Sequence, residues 1–328
     1  MNSQKQTSKT SFSLMLDSGA HAIYENFVRC GTGIWDRHLW NWSYYGSKDF
    51  WQYVDDYAEF VKNFPGCFDI YVSLDAIYDP KTSYETFIYL REKHGLDPLP
   101  VYHYAEPIEW LKKYMEVTDY IGISGLGQGI NKRDYIQWAD RVFDIVCAGK
   151  DRLPKYKIHG FALTSTQLIH RWPWYSVDSS SWVQFSQYGK VIIPKMVGNE
   201  RSYKVKPYEV FVSTRSPAIG KDEEHFETLS KMEQNYILDY LHSLNINYGK
   251  SHFKTVAADY KCADNEKTWG KAENGKKKIE VIEEYGVSNR HEYRDMVNFQ
   301  FYVDLENSVP PWPWPWKRAT SRFGLIRS

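Results

Sequence analysis

The chain has 328 residues with 41 basic and 41 acidic side chains, and 42% of its residues are hydrophobic. This size predicts one large domain with an appendage, and the zero net charge excludes a global attraction to nucleic acid while leaving room for a local basic surface. No apolar stretch reaches the roughly 18 residues of a membrane span and no signal peptide is recognisable, so we expect a cytoplasmic protein without a membrane partner. The four cysteines are isolated in sequence and predict neither a disulfide framework nor a zinc cluster.

Strand-like apolar runs alternate with amphipathic, helix-like stretches over the first half of the chain. The runs cover residues 12–16, 68–74, 99–104, 120–124, 156–163 and 174–177. The helix-like stretches cover residues 48–63, 83–94, 108–115, 133–148 and 166–171. Repeated βα units predict an α/β fold with a parallel sheet. We favour a (β/α)8 TIM-like barrel over residues 1–215, because several runs end in a polar or small residue rather than one run ending in a Gly-rich phosphate loop.

The pattern changes in the second half of the chain. A hairpin is predicted from residues 183–185 and 190–194, followed by a strand over 208–213 and a long helix over 225–244. The Lys-rich segment 264–278 is predicted to be a surface loop. The Trp- and Pro-rich end is predicted to be extended, before a basic tail. Residues 216–328 are therefore interpreted as a helical and irregular extension that packs on the barrel.

Polar residues stand where several of the predicted strands end. They are Asp17, Asp75, His103, Ser124 with Gly125, and Asp178. In a parallel barrel these positions converge on the carboxyl-end face, where such enzymes build their sites. Each Asp alone is also a good turn former or helix cap. Two carboxylates at one pocket, however, are the equipment for displacement at an anomeric carbon, where one attacks and the other handles the leaving-group proton.

Five short motifs follow one another along residues 12–195. In chain order they are Asp17-Ser18-Gly19-Ala20-His21, Asp75, Ser124-Gly125-Leu126, His159-Gly160-Phe161 and Ser176-Val177-Asp178. Their order and approximate spacing resemble the tRNA-guanine transglycosylase superfamily, and most closely its phage relatives that act on DNA, the deazapurine DNA-guanine transglycosylases. The family's counterparts are an Asp-Ser-Gly-Gly-aromatic turn, an Asp that reads the guanine edge, a Gly-Gly-Leu turn, a His-x-Phe/Met stretch and a Gly-Val-Asp strand that carries the nucleophile.

The resemblance implies a function and a set of site residues. Asp178 would attack C1′ of a nucleoside in DNA, and Asp17 would act as general acid and base while guanine is exchanged for a free 7-deazaguanine such as the 7-cyano form. The base-binding residues implied are Ser18, Gly19, His21, Asp75, His103, Ser124, Gly125 and Phe161. His21 and Phe161 are expected to sandwich the base. No cofactor is implied, because a carboxylate can meet an oxocarbenium-like centre unaided.

The sequence also departs from the family pattern. Members that act on tRNA carry a Cys-x-Cys-x-x-Cys…His zinc site, whereas only Cys262 stands beyond Asp178 here, so no metal is expected. Ala20 replaces the second Gly of the first motif, and His21 stands where an aromatic ring normally stacks on the base. His103 stands about where the family has a base-reading Gln. These differences leave the identity of the base open.

An enzyme that acts on a base within a polymer must take that base out of the stack, which calls for aromatic rings and positive charge around the site. The chain contains 13 Trp, 26 Tyr and 16 Phe, which suit base stacking, sugar binding or core packing. The predicted DNA contacts are Arg171, Trp172, Trp174, Lys317, Arg318 and Arg322.

Three other functions fit the same residues. A transglycosylase acting on tRNA would share the motifs, although the zinc ligands are missing. A retaining carbohydrate-active barrel hydrolase would also use paired Asp and Trp residues, with water as the acceptor. A non-catalytic binding protein built on a degenerate barrel is the third alternative, and the presence of both Asp17 and Asp178 argues against it.

Overall fold

The computed structural model describes residues 13–29, 41–125, 130–216 and 225–318, which form a mixed α/β fold with parallel sheets. These residues fold as two compact units. Unit 1 comprises Met1–Ala162, Pro173–Asp178 and Trp312–Ser328, and unit 2 comprises Leu163–Trp172 and Ser179–Pro311. The boundaries of these units differ from those of the predicted domains 1–215 and 216–328, because each unit is built from more than one segment of the chain. The predicted domain division stays a prediction.

Unit 1 contains a row of parallel strands. The strands are β1 (Met15–Leu16), β2 (Ile70–Tyr71), β3 (Val101–His103), β4 (Tyr120–Ser124), β5 (Lys157–Gly160) and β6 (Ser176–Val177). β1 pairs with β2, and β3 to β6 pair in sequence order, all in parallel. A parallel bridge between Val72 and Leu99 joins the two groups. Each strand therefore has its sequence neighbour as its spatial neighbour, and the predicted parallel sheet is confirmed.

Helices separate these strands along the chain. Those of unit 1 are α1 (Ala20–Ile23), which continues as a π-helical turn over Tyr24–Val28, α2 (Lys48–Asn63), α3 (Pro80–Glu92), α4 (Ile108–Val117) and α5 (Lys132–Val146). Polar caps start three of them, with Ser47 accepting from Phe50 N, Asp79 from Thr82 N and Asn131 from Arg133 N. The predicted helices α2 to α5 are confirmed to within a few residues at each end.

The two faces of the strand row are both apolar but have different partners. On one face, Leu16 and Tyr71 pack into a cluster with the buried side of α2. On the other face, Val72, Leu99 and Val101 form a second cluster. The side chains packed against this second cluster are Met15, Ile70, Tyr120 and Phe161.

Unit 2 is mainly antiparallel. Its helices are α6 (Thr166–Ile169), α7 (Ser181–Gln187), α8 (Lys231–Ser243) and α9 (His291–Ser308). Its strands are β7 (Lys190–Ile193), β8 (Lys195–Val197), β9 (Glu200–Ser202), β10 (Tyr208–Phe211), β11 (Lys250–Ala257), β12 (Glu266–Glu273) and β13 (Lys276–Glu284). β7 pairs with β10, β8 with β9, and β13 lies between β11 and β12. The buried amide of Asn298 on α9 accepts from Ile192 N and donates to Trp182 O, which ties α9 to β7 and α7.

Two predictions for unit 2 are wrong. The run 183–185 is not a strand but lies within α7, because Trp182 and Phe185 are three residues apart and suit one helix face. The Lys-rich segment 264–278 is not a loop, since it forms β12 and the start of β13. Asn274 and Gly275 make the hairpin turn with φ of 47° and 70°, which is the backbone that Asn-Gly favours. The extension is therefore partly a β-sheet.

Among the described residues, no helix is both long and apolar enough to cross a membrane.

Candidate active site

The loop after β1 carries the first predicted catalytic residue. Asp17 is exposed, and its Oδ1 accepts a hydrogen bond from Gly19 N at 3.2 Å. Gly19 has a φ of 78°, a conformation in which other residues are strained, so it allows the turn into α1. Ser18 is buried and its hydroxyl has no hydrogen-bond partner among the described residues, whereas His21 is exposed on α1. The Asp17 carboxylate therefore faces solvent from a tight, glycine-dependent turn.

The ends of β2 and β3 bring three titratable side chains together. His103 Nε2 lies 2.7 Å from Asp75 Oδ2, and both side chains are buried. Glu106 accepts a hydrogen bond from His103 N at 3.0 Å through Oε2, while its buried Oε1 has no partner within the part of the chain that the structure describes. One carboxyl group thus contacts the imidazole of His103, and a second contacts its backbone N–H.

Burial and pairing shift the pKa values of this cluster. Burial acts to lower the pKa of His103, but the hydrogen bond and the charge of Asp75 outweigh it, so the pKa of His103 is raised. Burial raises the pKa of Glu106 to about 7, against the opposing charge of His103. Near neutral pH, Glu106 and His103 therefore hold protons to a greater extent than ordinary Glu and His side chains do. The cluster can both donate and accept hydrogen bonds.

The end of β6 carries the second predicted catalytic residue. The half-exposed Asp178 accepts a hydrogen bond from Ala162 N at 2.9 Å, and its Oδ1 lies 3.4 Å from Nε2 of the buried His159. Burial acts to raise the pKa of Asp178, but His159 and the Ala162 amide outweigh it and hold that pKa below its usual value. Ala162 has a φ of 53°, so strained backbone aims the amide. Asp178 is consequently ionised and oriented.

Behind His159 runs a line of hydroxyl groups from two other strands. His159 Nδ1 lies 2.8 Å from Ser176 Oγ, and Ser176 Oγ lies 2.7 Å from the Tyr120 hydroxyl. If Tyr120 donates to Ser176 and Ser176 donates to Nδ1, the proton of His159 is fixed on Nε2, the nitrogen that faces Asp178. We refer to Tyr120, Ser176 and His159 as the Asp178 relay.

Phe161 and Gly125 lie at the carboxyl ends of β5 and β4, next to the residues just described. A Cβ on Gly122 would lie 2.4 Å from the Phe161 ring, so glycine on β4 makes room for that ring. The ring meets His159 edge-on at 4.4 Å between centroids. Gly125 follows β4 with a φ of 129°, and Ser124 stands opposite His103 in the strand register. The Leu126 position of the motif lies outside the described residues.

The structure therefore brings predicted residues together in two groups. Asp75 and His103 touch, and Asp178 and Phe161 both border His159. All of these side chains stand at the carboxyl ends of adjacent parallel strands, on one edge of unit 1. His21 is exposed on α1, and its predicted role in sandwiching a base with Phe161 stays a prediction.

Two of the predicted DNA contacts need correction. Trp172 is fully buried, and Trp174 is buried with its ring edge-on to Phe143 at 5.1 Å. Neither ring has a face free for a base to stack on, so both are core residues. Arg171 lies over the Trp172 ring at 5.4 Å.

The tail residues have mixed outcomes. Arg318 lies 3.4 Å from Asp144 and 3.8 Å from Asp140 on α5, so its charge is partly neutralised. Lys317 is exposed. Arg322 lies outside the described residues. A role of Lys317 and Arg318 in binding DNA stays a prediction.

Four residues of this edge were not singled out from the sequence as site residues: Glu106, His159, Ser176 and Tyr120. Ser176 and Tyr120 are 56 residues apart and meet only because β4, β5 and β6 are neighbours. Glu106 follows His103 by three residues in a turn, and this short spacing is the sequence feature from which their contact could have been predicted.

No cluster of three or more His, Cys, Asp or Glu side chains within the described ranges could hold a metal ion. Comparison with known proteins gave no match to any protein-family model, curated protein or solved structure.

Proposed function

We propose that the protein is a DNA-guanine transglycosylase that exchanges guanine in DNA for a 7-deazaguanine. The observation that carries the proposal is the Asp178 carboxylate, which stays ionised and is aimed by the Ala162 amide and His159 at the carboxyl end of β6. An ionised, oriented carboxylate is what nucleophilic attack at an anomeric carbon requires. The resemblance of the sequence motifs to the transglycosylases supports the same assignment.

The chemistry would proceed by double displacement. Asp178 attacks C1′ of the nucleoside, and the bond from C1′ to the guanine nitrogen breaks as Asp17 gives a proton to the departing base. A covalent ester between the deoxyribose and Asp178 results. Asp17, now a carboxylate, takes a proton from the incoming 7-deazaguanine, whose nitrogen then attacks C1′ and releases Asp178. Two inversions give net retention at C1′.

The cluster of Asp75, His103 and Glu106 suits the hydrogen-bonding edge of guanine. That edge has two donor groups, N1–H and the exocyclic amine, next to the O6 acceptor. Carboxylate oxygens can accept from the donors, and a protonated group can donate to O6. The buried Glu106 Oε1, which has no hydrogen-bond partner among the residues that the structure describes, supports a bound polar ligand at this position.

The barrel stays part of the proposal. The row of β1 to β6 follows sequence order without reversal, which favours a barrel because doubly wound sheets reverse their strand order at a switch point. The apolar cluster on one face draws side chains from β1 to β4 and from the residue after β5, as expected where a sheet curves around an interior. In a barrel, the carboxyl ends of all strands border one pocket, which would include Asp17.

One labelling experiment tests the proposed function. The purified protein is incubated separately with single-stranded DNA, duplex DNA and tRNA, each with radiolabelled guanine or labelled 7-cyano-7-deazaguanine as the free base. We expect label to enter DNA. Label in tRNA alone would support the RNA-modifying alternative, and release of free guanine or sugar without incorporation would support a hydrolase. An Asp178→Asn variant in parallel excludes a contaminating activity.

A further inference from the structure

Unit 2 carries a second feature that the proposed chemistry does not use, the three-stranded sheet of β11, β13 and β12. In its register, Phe253 and Lys267 stand on either side of Glu280, and Thr255 and Trp269 stand on either side of Lys278. Positions two residues apart on a strand share a face, so both rows lie on the same side of the sheet. This face therefore presents two aromatic rings among lysines.

Cations are held over these rings. Lys278 Nζ lies 4.4 Å from the centre of the Phe253 ring and 5.5 Å from that of Trp269. The Arg215 guanidinium lies 5.0 Å from the Trp269 ring, and it also donates a hydrogen bond to Thr268 O. Phe253 meets Trp269 edge-on at 4.6 Å. We call Arg215, Phe253, Trp269 and Lys278 the aromatic-basic face.

The aromatic-basic face is open to solvent. Phe253 is 37% exposed, the Arg215 side chain is 44% exposed, and Lys278 is exposed. Because the cations rest on rings and one of them is also hydrogen-bonded, they lose less conformational freedom on binding a ligand than free surface side chains do. The face is therefore preorganised.

Positive side chains on the aromatic-basic face are paired with carboxylates less completely than those on the opposite face of the sheet. There, Lys254 pairs with Glu266 at 2.7 Å. On the aromatic-basic face, the one carboxylate in the two rows is the buried Glu280, which Arg215 approaches at 3.6 Å and to which Thr214 donates a hydrogen bond. Lys278 forms no ion pair with any described residue. The face consequently has positive charge available for an anionic partner.

A group of cations beside Glu280 adds to this positive charge. Lys267 donates to Asn289 O at 2.8 Å, and Arg290 lies over the Tyr285 ring at 4.6 Å. Burial, followed by the charge of Arg290, lowers the pKa of Lys267. Burial is the larger of these two causes, and the contribution of Arg290 shows that a second cation lies near Lys267, so an anion bound nearby would be favourable to both.

We propose that the aromatic-basic face binds single-stranded nucleic acid, with Arg215 and Lys278 on phosphates and the exposed Phe253 ring against a base. Cations alone would suit an acidic peptide equally well, but the exposed Phe253 ring and the partly buried Trp269 ring, interleaved with cations, match the alternation of flat bases and phosphates in an unpaired strand. A duplex hides the faces of its bases, so a single strand is favoured. This inference goes beyond the proposed base exchange and does not require it.

Binding of a short fluorescent oligothymidine to the full chain, followed by anisotropy, tests the proposal. We expect the double variant Arg215→Gln, Lys278→Gln to bind at least about tenfold more weakly than the parent, with the slope of log affinity against log salt reduced by roughly 1.4, the value for two phosphates on a single strand. Phe253→Leu, which keeps an apolar side chain but removes the ring, should weaken binding at least about fivefold. Oligouridine should behave like oligothymidine, because neither charge nor ring stacking distinguishes the two sugars.

Matched controls make the outcome decisive. Lys254→Gln removes one charge from the opposite face of the same sheet and should leave binding within about twofold of the parent. Equal loss in Lys254→Gln and the double variant, or unchanged binding in the double variant, overturns the proposal. Duplex DNA bound as tightly as the single strand, or polyglutamate competing as well as an oligonucleotide of equal charge, overturns it too. Circular dichroism and thermal melting confirm that each variant is folded, and Asp178→Asn should bind like the parent, which separates this inference from the proposed function.

Discussion

The imidazole of His159 lies beside the carboxylate of Asp178, with 3.4 Å between Nε2 and Oδ1. His159 is buried, and its other ring nitrogen is held by Ser176. An imidazole fixed in this way presents the same nitrogen to Asp178 continuously, which costs no reorganisation when a covalent ester forms and breaks. The proposed nucleophile is thus supported by a layer of side chains behind it, as a working site requires.

Replacing the proposed nucleophile should abolish base exchange. In Asp178→Asn the amide oxygen can still accept from Ala162 N, so the local fold is kept, but an amide cannot form the glycosyl ester. We expect incorporation of labelled base to fall by more than about a thousandfold with unchanged thermal melting. Asp119→Asn, an exposed Asp before β4 at the opposite end of the strands, is the matched control and should retain full activity. Normal incorporation by Asp178→Asn would remove Asp178 from the mechanism.

Replacing Asp17 should block exchange at a different step. Asp17→Asn leaves the nucleophile in place but removes the proton donor for the departing guanine and the base for the incoming one. We expect loss of overall exchange together with loss of guanine release in a single turnover. A nucleoside with an activated leaving group does not need a proton donor for that group to depart. Asp17→Asn should therefore retain part of the first step, transfer of the sugar to Asp178, with such a nucleoside. Exchange at the parent rate would show that Asp17 has no catalytic role.

Breaking the Asp178 relay should change the pH dependence of the reaction rather than only its rate. Ser176→Ala removes the hydroxyl between Tyr120 and His159, so the proton of His159 is no longer fixed on Nε2. The support that holds the pKa of Asp178 low is then weaker, and the acid limb of the pH–rate profile should move to higher pH as exchange falls about tenfold.

Tyr120→Phe is the graded comparison for the relay. It keeps the ring and the Ser176 hydroxyl, and should shift the profile less than Ser176→Ala. A lower rate with an unmoved profile in Ser176→Ala would mean that Ser176 has only a packing role.

The sequence predicted the parallel strands and α2 to α5 because these elements have clear apolar periodicity and capping residues such as Ser47 and Asp79. It missed β12 and β13 because lysines and glutamates occupy both faces of that hairpin, which removes the alternation of apolar and polar residues. The Asn274-Gly275 pair, which is typical of a hairpin turn, was the one sequence feature that indicated this hairpin.

The candidate site could be predicted only in part for a similar reason. Asp17, Asp75 and Asp178 follow apolar runs and are recognisable locally, whereas the contacts of Tyr120 with Ser176 depend on strand register. Burial, which removed Trp172 and Trp174 from the DNA contacts, also depends on the tertiary fold.

The close approach of Phe161 to β4 should make Gly122 intolerant of a side chain. A Cβ at this position would lie 2.4 Å from the Phe161 ring, which is packed against the cluster of Val72, Leu99 and Val101 and has limited room to move. We expect Gly122→Ala to lower the free energy of unfolding in urea by about 1–3 kcal/mol. Gly46→Ala is the control, since its Cβ would have no atom within 4 Å, and it should change stability by less than about 0.5 kcal/mol. Equal stability of the two variants would contradict the contact.

The cluster at the ends of β2 and β3 should make stability fall as the pH rises towards and above neutrality. Burial raises the pKa of Glu106 to about 7 from an ordinary 4.5, so between these values the native protein holds a proton that the unfolded chain has lost. Stability from this group is therefore full below about pH 4.5 and is lost as the pH rises to about 7. Burial acts to lower the pKa of His103 but Asp75 raises it overall, so stability from His103 is lost as the pH rises beyond its ordinary pKa of 6.5. Asp178, whose pKa is lowered against the effect of burial, acts in the opposite direction, and its stability is lost only as the pH falls through the acid range.

Urea unfolding between about pH 5 and pH 8 measures this dependence. Glu106→Gln keeps the shape of the side chain without its charge, so it should flatten the dependence of unfolding free energy on pH. The difference in unfolding free energy between Glu106→Gln and the parent should shift in favour of the variant by on the order of 2 kcal/mol from pH 5 to pH 8. Glu109→Gln, an exposed carboxylate in the first turn of α4, is the matched control and should leave the profile parallel to that of the parent. The titrations of Glu106 and His103 interact, so the midpoint belongs to the pair. A parent profile that rises between pH 5 and pH 8, or one that Glu106→Gln leaves unchanged, would show that Glu106 does not hold its proton in the native protein.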